Sequence, residues 1–303
     1  MDILLSSVSQ GLLWSIMAIG VYLTYRILDI ADLTAEASFP LGAAICASQI
    51  VAGMSPVLAT LLGLVGGMVA GLVSGLLHTK LKIPALLTGI LTMTALYSIN
   101  LRIMGQANVS LLGKETVMRM LTTMGMDSQM AVLAVGGIFV AIVIMFLYLF
   151  FSTEIGLAIH ATGDNNEMSE ANGINTDTMK IMGYMISNGL IALSGALMAQ
   201  NNGYADISMG VGTIVIGLAS IIISEVIFNN VSFVKRLFVI IIGSIIYRLI
   251  IAGVLELGVA PTDLKLFSAI ILTICLASPL LRSKLRGLLK LKSKTASVKK
   301  GVQ

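Results

Sequence analysis

Four apolar runs decide what this chain can be: "GLLWSIMAIGVYLTYRIL", "PVLATLLGLVGGMVAGLVSGLL", "MAVLAVGGIFVAIVIMFLYLFF" and "FVIIIGSIIYRLIIAGVL". A helix of about 20 apolar residues matches the ~30 Å hydrocarbon core of a bilayer. Within that core every backbone N–H and C=O must be satisfied by the protein, which leaves helices or closed barrels. Ten-residue segments of alternating polarity are absent, so the runs read as helices. With 57% hydrophobic and 11% charged residues, a soluble fold is excluded. The expected class is all-α, a polytopic membrane protein with discontinuous helices.

Nine spans are predicted, at roughly 8–28, 37–53, 56–77, 84–101, 130–151, 179–199, 207–228, 234–252 and 264–281. Longer polar stretches separate them at 102–129 and 152–178. The tail "RSKLRGLLKLKSKTASVKKG" carries eight of the 19 Lys and Arg and should stay cytoplasmic. Binding to anionic lipid is its other use. Arg26, Lys80, Lys82, Lys180, Lys235 and Arg236 then fall inside, whereas Arg102, Lys114, Arg119 and Lys265 fall outside. The loop 152–178 is predicted to be cytoplasmic, and 102–129 and the N-terminus external. Met1–Gln10 has no basic residue and no small-residue cleavage site, so no cleavable leader is expected. The membrane-spanning body is expected over 1–281, in halves of about 8–128 and 129–281, followed by the tail 282–303.

Charges in such a chain need a reason. At the centre of a membrane helix one charge costs roughly 2.5–3.5 kcal/mol. Yet "RILDIADLTAEASFPLGAA" places Asp29, Asp32 and Glu36 between two apolar segments. Three readings compete. The carboxylates lie in a polar re-entrant break, with Glu36 and Ser38 capping the next helix. They line a pathway and recognise an amino group or exclude anions. Or they pair with an intramembrane cation, for which Arg248 is the obvious candidate. Arg248 should face the bundle interior and find a carboxylate among Glu225, Glu256 or the 29–36 cluster. Glu225 reads as an interfacial carboxylate near the inner end of its span. Trp14, Tyr22, Tyr25, Tyr97 and Tyr204 anchor the interface or stack on an aromatic solute.

An internal echo joins the halves. "ADLTAEASFPLGAA" from Ala31 and "ADISMGVGTIVIGLAS" from Ala205 share their opening and their later glycine, so Asp206 matches Asp32. Gly-interrupted polar helices at matching positions mark transport pathways. In the third span, Gly63, Gly67, Gly71 and Gly75 line one helix face. Small residues at that spacing let helix backbones approach, within one chain or across a dimer seam. The external stretch has an amphipathic middle, Leu111, Leu112, Val117, Met120 and Leu121 beside Lys114, Glu115 and Arg119, which should lie along the outer surface as a gate or partner contact, or as an ordinary interfacial helix.

Several chemistries are missing from the chain. Cys46 and Cys275 sit in apolar runs with no metal-ligand spacing. No HExxH occurs, and Ser194 has no histidine at similar depth, His78 and His160 lying near inner edges. The one Gly-Lys, Gly113–Lys114, is followed by Glu115, so there is no phosphate loop. No enzyme chemistry is therefore expected, and the buried carboxylates would suit proton coupling in an ion-coupled secondary transporter of a small polar solute, one alternative class.

"GDNNEMSEANG" in the cytoplasmic loop reads as a short capped helix, with Asp164 or Asn165 as N-cap, Glu167 and Glu170 in the early turns and Gly173 as terminator. With "GLAIHATGDNNEMSEANGIN", "GVYLTYRILDIADLTAEASFPLGAA", "LHTKLKIPALLTGILTM", "VIGLASIIISEVIF" and "PTDLKLFSAIIL", the chain resembles permease subunits of ABC importers in the ribose/branched-chain amino acid superfamily. It looks most like the branch named for tryptophan and tyrosine transport. The resemblance implies that Gly156, Ala158, His160, Gly163, Asp164, Asn165, Glu167, Met168, Glu170 and Gly173 belong to a loop that meets an ATPase subunit. The commonest family pattern has Arg where this chain has His160 and Pro where it has Asn166. Also implied are a second permease copy, two cytoplasmic ABC ATPases that hold ATP-Mg, and an external solute-binding lipoprotein. No cofactor, metal or nucleic acid is implied for this chain, which belongs in a bacterial cytoplasmic membrane. The cargo implied is an amino acid, aromatic or branched-chain like.

Overall fold

The computed structural model describes residues 2–228, 231–260, 263–275 and 277. The tail 282–303 and the end of the ninth expected span lie outside them. The helices are α1 (Asp2–Tyr22), α2 (Ala35–Val51), α3 (Pro56–Thr79), α4 (Ala85–Met104), α5 (Val117–Thr123), α6 (Ser128–Phe151), α7 (Glu154–Asp164), α8 (Asn166–Ala171), α9 (Thr176–Asn202), α10 (Thr213–Ile227), α11 (Phe233–Glu256) and α12 (Leu264–Cys275). Among the described residues, seven helical stretches are long and apolar enough to cross a membrane, and α2 and α12 are shorter apolar helices. The seven lie on seven of the nine expected spans, and α2 and α12 overlap the other two at less than the length of a candidate span.

The bundle is built around α9. Of its apolar window 78% is buried, against 28% for α4. Helices α1, α2 and α3 pack on it, while α10 and α11 pack on α1 and on each other. Lipid-immersed helices gain little from excluding one another's apolar surface, so close packing and hydrogen bonds must hold them. The glycines supply the closeness. A Cβ at Gly67 would strike the Asn188 carbonyl and the Ala192 side chain, and one at Gly71 the Tyr184 carbonyl. Gly75 sits against Ile181, and Gly63 against Gly42 and Ala196. The ladder is therefore filled within the chain, by α9 and α2. Gly42 in turn abuts the Ala192 carbonyl.

One local feature was not expected. Asn108–Ser110 (β1) pairs antiparallel with Tyr204–Asp206 (β2), register Asn108↔Asp206. This two-stranded clasp joins the segment after α4 to the end of α9. Gln200 of α9 accepts a hydrogen bond from Val117 N–H at 2.9 Å, latching α5 to the same place. Leu111 and Met118 are buried there, so the amphipathic stretch is tied down by short elements and α5 is only seven residues long.

Gly67→Leu should force α3 off α9 and cost about 1–3 kcal/mol, the usual range for overpacking. Gly137→Ala, where a Cβ meets nothing within 4 Å, should leave stability unchanged. Thermal unfolding of both variants in lipid nanodiscs reads the difference.

Candidate functional site

Helix α1 does not run on through the acidic stretch. It loosens into a π-helical turn at Leu23–Ile27, ends at Leu28, and turns at Asp29, whose φ of 53° is left-handed. Asp is among the few non-glycine residues that adopt this conformation readily. Asp29 is exposed and makes no hydrogen bond or ion pair among the described residues. Asp32 is buried. Its Oδ1 accepts from Thr34 N–H at 2.9 Å, and its Oδ2 from Asn188 Nδ2 at 2.7 Å. Asn188 also donates to the Tyr184 carbonyl, and its Oδ1 accepts from the Ser38 hydroxyl at 2.7 Å. Thr34, Ser74 and Thr92 continue the network by hydroxyl contacts of 2.9 and 3.0 Å. The chain of bonds thus ties the break to α2, α3, α4 and α9.

Glu36 does not cap α2; the N-cap, Thr34, makes no side-chain cap bond. Instead Glu36 Oε1 accepts from Gly212 N–H at 3.1 Å, across to the second half of the chain. Pro40 removes the donor that would have met the Glu36 carbonyl. Gly210 lies against that carbonyl and against Pro40, where a Cβ would collide. The matching aspartate repeats the geometry of Asp32. Asp206 Oδ1 accepts from Ser208 N–H at 2.7 Å, and Oδ2 accepts from Asn108 Nδ2 at 3.1 Å. Ser208 Oγ also donates to Asp206. Burial alone would raise the Asp206 pKa, but the Ser208 and Asn108 hydrogen bonds outweigh it and hold the carboxyl below its ordinary value. Each half thus carries an aspartate that closes an Asx turn at a polar break and takes an amide from a neighbouring element. The Glu36–Gly212 bond joins the two breaks.

Arg248 does not reach a carboxylate. Its guanidinium lies over the Trp14 ring, 4.6 Å from the centroid, and Trp14 also stacks on Phe39. The expected pairing with the 29–36 cluster, Glu225 or Glu256 is absent among the described residues, because Trp14 of α1 takes the charge. Glu225 pairs instead with Arg26 by two bonds, 2.8 and 2.7 Å. Of the aromatic set, Tyr25, Tyr97 and Tyr204 are exposed, whereas Trp14 is enclosed.

The Arg26–Glu225 pair marks one end of the bundle. At the same end Asp177 receives Lys80 and Lys82 at 3.0 and 3.4 Å. Helices α7 and α8 are there too. Asn165 is the N-cap of α8, accepting from Met168 N–H at 2.9 Å, and Gly173 follows with φ 80°. His160 Nδ1 lies 3.4 Å from Asp164, where the loop bends between the two helices. Asn166 and Thr176 both donate to Glu170, so this carboxylate braces the loop from within. Glu167 and Met168 face outward, Met168 being 55% exposed. Two glycines seat α7: Gly156 on the backbone of Phe150 and Phe151, and Gly163 on the Ile27 carbonyl beside Leu28. Leu28 also fills the space at Gly183 of α9. Ala158 carries the carbonyl that accepts from Thr162.

The residue that sequence reasoning missed is Asn188. Its signal was a polar amide inside a continuous apolar run, which a membrane helix tolerates only with partners. No group of three or more His, Cys, Asp or Glu able to hold a metal occurs among the described residues.

A polytopic helical bundle with paired polar breaks and an exposed helical loop at one end is the architecture of a membrane transport protein. Residues 3–277 match the family described as "Branched-chain amino acid transport system / permease component", and the chain belongs to that family. It is 45% identical over 275 residues to the "Tyrosine transport system permease protein" of Clostridioides difficile (strain R20291), covering 91% of this chain and 90% of the relative. It is also 34% identical over 282 residues to an uncharacterized protein of Rickettsia prowazekii (strain Madrid E), covering 92% and 98%. No solved structure matches.

Asn188→Leu leaves Asp32 short of a donor and should destabilise the protein by about 1.5–3 kcal/mol, the range for hydrogen bonds to charged groups. Asp29→Asn, at an exposed site whose backbone Asn also tolerates, should stay within about 0.5 kcal/mol of the parent. Denaturation of purified protein in nanodiscs separates the two.

Proposed function

We propose that this chain is the membrane-spanning subunit of an ATP-driven ABC importer for an amino acid of aromatic or branched-chain type. The observation that carries the reading is the exposed α7–α8 pair, in a chain whose family is that of permease components. The chain supplies no phosphate loop, so hydrolysis belongs to a pair of separate ATPase subunits bearing ATP-Mg. The end carrying α7, α8, Arg26, Lys80 and Lys82 is placed in the cytoplasm, in keeping with positive-inside charge. The opposite end, with the β1–β2 clasp, faces an external binding protein that delivers cargo. A second copy completes the pathway.

The mechanism is alternating access driven through contact. An ATPase grips the outward side of α8 at Glu167 and Met168. Motion of α7 bears on Leu28 through Gly163, which admits no Cβ there. Leu28 immediately precedes the Asp29–Thr34 break, so a rigid-body shift of α7 reaches the junction that Asp32 and Glu36 hold. Pairs such as Arg26–Glu225 and Lys80–Asp177 lie where inner ends must part or slide. Partly exposed pairs of this kind are worth about 0–1 kcal/mol each, which suits contacts that break every cycle. The tyrosine label of the 45% identical relative supports the cargo class. Proton coupling by Asp32 finds less support, because both carboxylate oxygens are committed to Thr34 and Asn188.

Glu167→Lys combined with Met168→Ser changes only outward-facing side chains. In reconstituted complexes it should lower amino-acid uptake at least about tenfold, roughly 1.4 kcal/mol of lost coupling, while the permease still inserts and unfolds like the parent. Glu170→Lys should lower the unfolding temperature as well, since Glu170 braces the loop. Uptake by the Glu167–Met168 double variant equal to the parent's would exclude α8 as the docking element.

A further inference from the structure

Arg248 is a partly buried cation left half-satisfied. Its Nε is sealed from solvent with no hydrogen-bond partner, and no carboxylate lies within 4 Å of it among the described residues. Trp14 covers the face of the guanidinium but offers nothing to its edge, where the five N–H donors point. A cation–π contact of this kind is worth about 2 kcal/mol when desolvated, less than the cost of the unmet charge. A helix in lipid would be cheaper with leucine at 248, so the guanidinium calls for a ligand.

Space for one adjoins it. A cavity of about 520 Å³ lies between α1, α6 and α11, lined by Arg248 with Ser6, Gln10, Gln129 and Glu256. That volume falls within the ~300–1,000 Å³ of small-molecule sites. The Gln129 Oε1 is a second buried polar atom without a partner. Arg248 and Ile251 also line a smaller cavity of about 220 Å³, which reaches Gly212 beside the Glu36 junction, with Lys265 in its wall. Both cavities lie at the end of the bundle opposite α7 and α8. The larger one sets the hydroxyl and amide groups of Ser6, Gln10 and Gln129 opposite the apolar Ile251, Ala252 and Leu255, a mixed lining that suits a solute with one polar and one apolar end better than a lipid acyl chain.

We infer that Arg248 is an oxyanion subsite: its guanidinium edge receives the carboxylate of the amino-acid cargo in the cavity between α1, α6 and α11. The cargo class rests on the function proposed above. The planar fork of Arg matches a carboxylate with two parallel hydrogen bonds, a geometry Lys does not offer. The anion neutralises the cation as it arrives, so the site favours carboxylates over amines of the same shape.

The chain has one tryptophan, and it lies beneath Arg248, so intrinsic emission reads the site directly. Full-length protein in phosphatidylcholine nanodiscs is titrated with L-phenylalanine and L-leucine, and with phenethylamine and isoamylamine, which lack the carboxylate. At least one amino acid should shift Trp14 emission, with its amine about tenfold weaker or more. Arg248→Gln should weaken the response about tenfold or more, and Arg248→Lys less. Gln129→Leu removes an unpartnered polar atom, so it should leave the fold as stable or more so while weakening the response; it serves as the test if Arg248→Gln fails to fold. Amines that act as strongly as the amino acids overturn the inference, as does an unchanged Arg248→Gln or Gln129→Leu titration, or no shift with either amino acid. A shift produced only by adding phosphatidylglycerol to the discs also overturns it, in favour of a lipid headgroup. Uptake by the parent complex tests the importer reading separately. Parent uptake with full activity in Arg248→Gln sinks the subsite alone, whereas no parent uptake sinks the importer reading.

Discussion

A carboxylate sealed inside a membrane bundle must be given donors, and the Asp32–Asn188 bond is where this chain meets that demand. Removing a charge from water costs several kcal/mol unless hydrogen bonds replace its hydration. Thr34 and Asn188 replace it at the two oxygens, one locally and one from the central helix. The arrangement fixes where α1 stops and α2 starts, and at what height both meet α9. Because Asn188 also takes Ser38 and gives to Tyr184, one amide sets the register of α2 against α9.

Close backbone packing carries the rest. Gly42 and Gly195 seat α2 and α9 on each other's carbonyls, and Gly67 and Gly71 seat α3 on the carbonyls of α9. These contacts require the absence of a side chain on one partner, so the bundle resists continuous deformation and moves as packed units. That property lets a short surface helix act on the interior. Gly163 brings α7 onto Leu28, and Leu28 leads into the break held by Asp32.

The spans were legible because length and hydropathy follow from bilayer thickness, and the same sum excluded a soluble fold. The glycine ladder was legible as a face, though its partner was not, since α9 reveals itself only through backbone contacts. The acidic stretch was legible as a polar break in one of three readings, and Asp206 as its counterpart. The capping of α2 by Glu36 that one of those readings offered does not occur, and its actual partner, Gly212, is 176 residues away. Arg248 was expected to seek a carboxylate, but Trp14, read as an interface anchor or a stacking surface for a solute, covers one face of its guanidinium instead. Asn188 went unread because one amide in an apolar run carries no pattern. The β1–β2 clasp was invisible for a similar reason, each strand being three residues long.

If Asp32 and Asn188 are a bonded pair that sets the break, exchanging the two side chains should rebuild the bond in reverse. The decisive measurement is a double-mutant cycle on unfolding in nanodiscs, comparing Asp32→Asn, Asn188→Asp and the combined exchange. The account predicts that each single variant is markedly destabilised and that the exchange regains at least half of the combined loss. Losses that simply add would show that the two residues act independently, and the break would need another explanation.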